Sequence, residues 1–369
     1  MQFSHGVIGQ DAYLELGGVR YMQAWTTIPG QPGSGAVREV PEPTPLEGAV
    51  IVKTSSIGVC GTDRDILAGL YGQAPEDSDY LILGHESLGE VLSAPAESGF
   101  DAGDLVVGVV RRPDPVPCSN CAAGEWDMCR NGMYTERGIK QRHGYGSERF
   151  RVEPEFLVRI SHDLSGIGVL LEPTSIVAKA WDHIDRIGGR ASYKPKLVLI
   201  TGAGPVGLLA AMLGVQRGLE VHVLDRVAGG IKPDLVNDLG AIYHHGSASD
   251  ACPGADIVIE CTGAGQVVLD AMRSTSPGGI VCLAGISSGT REIRFDVGAF
   301  NRGMVLENDV VFGSLNANLQ HYQRAAEALA FADRQWLDRL ITRRVPLARW
   351  REVLNHDPEC DVKSVITFS

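Results

Sequence analysis

The spacing of apolar and polar positions changes character twice along this chain. Strand-like patterning begins at Met22–Trp25, and the run AVIVKTSSIG between Gly48 and Ile57 reads as a second strand. Further β-type runs follow at 87–93, 105–110 and 156–160, each set off by Pro, Gly or Asp. Short strands between breakers predict a β-rich first domain. Near residue 172 the period lengthens, and EPTSIVAKAWDHIDRI places apolar residues at helical spacing. From Lys196 the order becomes strand, glycine turn, helix, strand (LVLITGAGPVGLLAAMLGVQRGLEVHVLD). Later apolar runs occur at ADIVIECTG, GGIVCLAGIS and DVVFGSLN. Strands alternating with helices predict an α/β unit, a doubly wound parallel sheet with helices on both faces. The tail carries helical patterns around Tyr322–Phe331 and Trp350–Leu354 and a last strand, VKSVITF. It lacks another glycine turn and is expected to return to the first domain. The predicted division is 22–185 with 317–369 for the β-rich domain and 186–316 for the parallel-sheet domain, after an N-terminal extension or leader over 1–21.

The length of 369 residues agrees with two domains. A net charge of −12 without a concentrated basic tract excludes a nucleic-acid groove. No run approaches a membrane span and no secretory pattern opens the chain, so a cytoplasmic protein is expected. Glycine, at 45 residues, is well above its usual share of about 7%, which points to tight turns and close backbone approaches.

One such turn carries chemistry. Gly202-Ala203-Gly204-Pro205-Val206-Gly207 follows a predicted strand and opens a predicted helix, the context in which G-x-G-x-x-G reads as a dinucleotide site. The helix N-terminus then faces the pyrophosphate. Asp225 closes the next strand at the spacing of an acidic ribose ligand and favours NAD over NADP. Arg226 beside it leaves NADP open, because a guanidinium can hold a 2′-phosphate. Thr262, in the ECTG turn, joins the expected cofactor set.

The eight cysteines sort by neighbourhood. Cys118-x2-Cys121-x7-Cys129 has the close spacing of a structural metal lobe. Cys252, Cys261, Cys282 and Cys360 read as ordinary reduced thiols, which fits a reducing compartment. Cys60 ends the strand-like run before GTD, and Gly84-His85-Glu86 follows about 25 residues later, each piece unremarkable alone.

Taken in order with the nucleotide turn downstream, these pieces resemble the zinc-dependent medium-chain dehydrogenase family, from about Met22 to the C-terminus. The resemblance implies a GroES-like fold for the β-rich domain. It also implies a catalytic zinc on Cys60 and His85, with Glu86 as a switching ligand or the ligands' partner and Glu172 in the remaining protein position. Zinc with few protein ligands keeps an open site that polarises an alcohol oxygen. Thr62 would start the proton relay, and Asp63 would orient His85 through its other ring nitrogen. In the wider family the lobe has four cysteines, C-x2-C-x2-C-x7-C, and Pro115 takes the place of the first. The fourth ligand is then Asp114, Glu125, Asp127, a water or none, and a metal-free lobe is the alternative.

Within the family, VVRRPDPVPCSNCAAGEWDMC, YTERGIKQRHGYGSERF, LLEPTSIVAKAW and FGSLNANLQHY are similar to the glucose 1-dehydrogenase branch. By position, Glu136, Glu172 and Asn316 would meet a small polyhydroxylated substrate, and a homotetramer or homodimer is implied. Glu307 stands where other members carry His, and Ile176 where some carry Asp. Glu307 is therefore a candidate substrate residue that would favour an amino sugar or basic polyol, the alternative being a solvated rim residue with the pocket unchanged. The expected reaction is oxidation of an aldose C1 hydroxyl to a lactone. The alternatives are a zinc polyol or amino-polyol dehydrogenase of the same fold and a non-catalytic nucleotide-binding module. A zinc-free quinone reductase is disfavoured by the Cys60 and His85 pair.

Overall fold

A computed structural model of the chain describes residues 20–287, 292–355 and 357–368. The expected leader therefore lies almost wholly outside the described residues, and the first strand, Tyr21–Thr27, begins one residue before Met22.

Six parallel strands form the sheet of the α/β half, in spatial order Ile242–His245, Glu220–Asp225, Leu197–Thr201, Ala255–Glu260, Thr275–Leu283 and Val310–Gly313. A parallel sheet is covered on both faces, so its strands are apolar throughout rather than alternating. Val198, Leu199 and Ile200 accordingly have no exposed surface. The order reverses beside Leu197–Thr201, and ligands bind this architecture outside the C-terminal strand ends at such a reversal. The helix Pro205–Gln216 leaves that point and is apolar on nearly all sides. The sheet lies against it on one face, and the long helix Leu171–Gly188 on another.

The β-rich half is built on a seven-stranded sheet in order Leu157–Arg159, Leu105–Gly108, Glu86–Ser93, Val50–Val59, Lys363–Thr367 and Ile341–Pro346, with Arg149–Val152 also on Val50–Val59. The closing strand thus returns to the first domain, with Ile366 opposite Ile57. The run expected over 105–110 stops at Gly108. The chain turns there, and Arg111–Arg112 joins a separate small sheet with Thr135–Arg137 and Gln141–Arg142. The pattern at Trp350–Leu354 is the second part of a 3-10 segment, Leu347–Leu354, rather than an α-helix. The helix Leu171–Gly188 buries Trp181, whose indole N–H donates to the Ala210 carbonyl at 3.2 Å. This helix packs on both Pro205–Gln216 and Leu319–Phe331 and so spans the seam between the halves.

Candidate active site

Cys60 lies at the N-terminus of the helix Gly61–Leu67, where its N–H donates to Asp63 Oδ2 at 2.9 Å. Antiparallel register sets Gly58 opposite Glu86 and so brings Cys60 to His85. Cys60 Sγ is 3.1 Å from His85 Nε2, and His85 Nδ1 is 3.4 Å from Asp63 Oδ1. A Cβ at position 58 would fall on Glu86 Oε2, so a side chain there would displace the Glu86 carboxylate. Burial pushes His85 down, but the Cys60 sulfur and the Asp63 carboxylate outweigh it and hold the imidazole well above its ordinary range.

Donor atoms of Cys60, His85 and Glu86 all lie within 4.8 Å of one another. A thiolate, an imidazole and a carboxylate converging on a cleft fit zinc with an open position. Glu172, from the first turn of Leu171–Gly188, stands outside that group but lines the same cleft. Burial pushes its carboxyl up to about 7; His85 pulls it down and Glu86 adds to the rise. Glu86 is ion-paired with Lys363, a buried lysine on the closing strand. Thr62 also lines the cleft, whose volume is about 590 Å³.

The same cleft is also lined by a polar wall. Glu136 Oε1 accepts from Arg111 Nε at 3.1 Å and Nη2 at 2.9 Å, and from Asn316 Nδ2 at 2.6 Å. The Arg111 guanidinium stacks 3.7 Å over the Tyr134 ring, and Tyr71 and Ile176 complete this side. Glu307 is elsewhere. It ends the helix Val297–Glu307 with its side chain exposed and is absent from the cleft lining, so its expected role in the pocket is corrected.

At the strand reversal, Gly202 takes a left-handed φ of 92° and its N–H donates to the Leu224 carbonyl at 2.7 Å. A Cβ on Gly207 would overlap the Gly202 carbonyl, while Gly204, at the helix cap, faces open space. That is the cradle a pyrophosphate requires. Pro205 and Val206 begin the helix, and Val206 also reaches the cleft. Asp225 Oδ2 accepts from Ala203 N–H at 2.6 Å and lies 3.7 Å from Lys232 Nζ. Arg226 is exposed and lines an outer recess with Gly229, Gly230 and Glu359. Thr262 bonds the buried Glu260 carboxylate through its hydroxyl and, at 2.7 Å, through its N–H.

Cys118, Cys121 and Cys129 also bring their sulfurs within 4.8 Å of one another. Backbone N–H groups of Arg130 and Cys121 pull Cys118 down to about 6, whereas burial pushes Cys121 up to about 11. Three thiols at one point fit a tetrahedral metal short of one protein ligand. Two of the expected fourth ligands are engaged elsewhere. Glu125 pairs with Arg186 at 3.0 Å and Asp127 with Lys179 at 2.8 Å. Asp114 is buried and uses Oδ1 to accept from Val116 N–H at 2.8 Å. Among the described residues a third group, Asp182, His183 and His321, has its carboxylate held by Arg186 and Arg324.

Sequence reasoning missed Lys363, Arg111 and Lys179. The available signals were a lysine inside the apolar closing strand, paired arginines ending an apolar run and a lysine on the apolar face of a helix.

A β-sheet half carrying a Cys-His-Glu cluster, set against a dinucleotide sheet, is the architecture of the medium-chain dehydrogenases. Family models agree: "Alcohol dehydrogenase GroES-like domain" matches residues 46–162 and "Glucose dehydrogenase C-terminus" matches 165–368. The chain is 37% identical over 356 residues to the glucose 1-dehydrogenase of Methanocella arvoryzae, covering 94% of this chain and 99% of that one. It is 40% identical over 355 residues to that of Thermoproteus tenax, with the same coverage. Haloferax mediterranei glucose dehydrogenase, solved in complex with NADP, Zn and gluconolactone, superposes with a TM-score of 0.86 at 32% identity, covering 94% of this chain and 99% of that one. The chain therefore belongs to the glucose dehydrogenase family of zinc-dependent medium-chain dehydrogenases. No described helix is long and apolar enough to cross a membrane.

Proposed function

We propose that this protein oxidises the C1 hydroxyl of a glucose-like aldose to a lactone, passing hydride to NAD(P), with NAD preferred. The observation that carries the reading is the pairing, in one cleft, of the Cys60, His85 and Glu86 cluster with the wall formed by Glu136, Arg111 and Asn316. Zinc, when held by Cys60, His85 and Glu86 with Glu172 beside them, supplies Lewis acidity toward the substrate oxygen. Glu136 and Asn316 bind ring hydroxyls, which suits a substrate with several donors and acceptors. Thr62 takes the C1 hydroxyl proton and passes it toward solvent, while Asp63 keeps the His85 ring oriented. The C1 hydrogen leaves with its electron pair for the nicotinamide, and the carbon becomes the lactone carbonyl.

Gly202, Gly204 and Gly207 receive the pyrophosphate, with Pro205 and Val206 presenting the helix end and Thr262 shaping the adjoining turn. The Asp225 carboxylate supports NAD, because a 2′-phosphate would meet its negative charge. Arg226 is the group through which NADP is tolerated. Cys118, Cys121 and Cys129 hold a second, structural zinc that staples a segment poor in apolar residues. Eight cysteines outside any disulfide fit a cytoplasmic setting. The half-buried edge strand Val310–Gly313 and the exposed Val305 and Leu306 fit association into a homodimer or homotetramer.

The test is a substrate panel followed by NADH absorbance, alongside Glu136→Gln. Aldoses should be oxidised, and the variant should raise the aldose KM by roughly tenfold or more while leaving the NAD KM in place. Turnover of secondary alditols or amino-cyclitols with none of aldoses would replace this reading.

A further inference from the structure

The wall that carries Glu136 and Asn316 is held from behind by one residue of the cysteine lobe. Asp127 lies in the short turn Trp126–Met128, just before Cys129. Its main-chain carbonyl accepts from Arg111 Nη1 at 3.0 Å, and the same guanidinium uses its other two nitrogens on Glu136. Its Oδ1 accepts from Asn318 Nδ2 at 2.9 Å, and its Oδ2 lies 2.8 Å from Lys179 Nζ. Lys179 in turn donates to the Leu315 carbonyl at 2.9 Å. Between those two loop anchors lie Asn316 and Ala317, and Asn316 is held at a left-handed φ of 64° while its amide reaches Glu136.

Both side chains of the ion pair are almost fully buried, at 1% exposure for Asp127 and 2% for Lys179. A buried cation whose partner is neutralised must move toward water or stay uncompensated. If Lys179 moves, the Leu315 carbonyl loses its donor, and the constraint on the Asn316 backbone goes with it. Left-handed backbone at a non-glycine residue persists where its surroundings over-determine it. Among the described residues, the hydrogen bonds and ion pairs of Asp127 and Lys179 run to this wall and its loop. None reaches the Cys60 cluster or the 202–207 turn.

We propose that Asp127, acting through Lys179 and Asn318, is a positioning residue that sets the spacing of Asn316 and Glu136 and so governs affinity for the sugar. The inference rests on the reading that these two side chains bind sugar hydroxyls. It makes the lobe a support for substrate recognition as well as a stapled loop.

Steady-state kinetics of the zinc-loaded enzyme, with aldose and NAD varied separately, test it on Asp127→Asn, Lys179→Met, the double variant and Lys179→Arg. Each single neutralisation should raise the aldose KM about tenfold while kcat and the NAD KM stay within about twofold. The double variant should be no worse than the worse single, because both act through one contact. Lys179→Arg, which keeps the cation, should recover most of the affinity. If Asp127→Asn fails to fold, Lys179→Met with its Arg counterpart decides alone. An unchanged aldose KM in the neutralising variants, with Glu136→Gln still raising it, overturns the inference and leaves the sugar reading standing. No effect of Glu136→Gln overturns the sugar reading and the inference with it. A fall in kcat with both KM values shifted together would mean a merely structural role and also overturns the inference.

Discussion

Replacing Lys363 by methionine keeps the apolar stem of the side chain and removes its charge. In the structure this ammonium is paired with Glu86, and the two side chains are 2% and 3% exposed. Its field also favours ionised Asp63 and Glu172. Breaking a buried pair from one side strands the remaining charge, at a cost of about 3–5 kcal/mol. Against a total stability of about 5–15 kcal/mol that is a large loss. Urea unfolding of zinc-stripped protein should therefore show a much lower midpoint at an unchanged slope. Adding Glu86→Gln should recover much of the loss, with an interaction energy of about 2–3 kcal/mol across the double-mutant cycle. Restoring zinc should shrink the defect of the single variant, because Glu86 then has the metal as its counter-charge. A cost below about 1 kcal/mol in the metal-free protein, or a double variant less stable than the single, would refute the argument that this pair supports Glu86.

Other outcomes follow from the same geometry. Gly207→Ala introduces a Cβ that overlaps the Gly202 carbonyl, and NADH affinity measured by fluorescence titration should fall about tenfold or more; an unchanged Kd would contradict the cradle. Asp225→Ser removes the carboxylate beside Ala203, and the NADP to NAD ratio of kcat/KM should rise about tenfold or more. Glu172 has a folded-state pKa of about 7 against an ordinary 4.5, so the folded protein keeps a proton that the unfolded chain has released. Its contribution to stability in the metal-free protein is whole below the ordinary value and is lost as pH rises through about 7, by at most about 3 kcal/mol. Glu172→Gln should lack that slope in pH-dependent denaturation, and parallel curves for the two proteins would count against it.

The parallel sheet was readable because its signal is local. A strand, a glycine turn and a helix are contiguous, Gly202 and Gly207 each have a steric reason to be where they are, and Gly204 leaves the space in front of the helix cap open. The cluster was readable only through resemblance, since nothing in the spacing of Cys60 and His85 says that Gly58 will face Glu86 across a sheet. Lys363 was missed although its place inside an apolar strand was a signal. A lysine in a strand is usually solvated, and its burial depends on the closing strand inserting beside Val50–Val59. Glu125 and Asp127 looked equivalent to Asp114 as lobe ligands because sequence proximity does not reveal that Arg186 and Lys179, on a helix far along the chain, already hold them. Glu307 failed for a similar reason. Its place in the family resemblance suggested a pocket residue, but the end of Val297–Glu307 carries it into solvent.

The closing strand also bears on the order in which the molecule is made. Lys363–Thr367 sits inside its sheet, between Val50–Val59 and Ile341–Pro346, rather than at an edge. Strand Val50–Val59 is paired on that side over residues 50–53 by Arg149–Val152, but its Ser56–Val59 half must wait unpaired until Lys363–Thr367 has been synthesised. The dinucleotide sheet, whose strands are contiguous in sequence, has no such wait and can assemble during translation. Vectorial synthesis therefore puts the cofactor half first and seats the cation opposite Glu86 last, so a nascent chain stalled before Ile341 would carry the nucleotide site without a finished metal site.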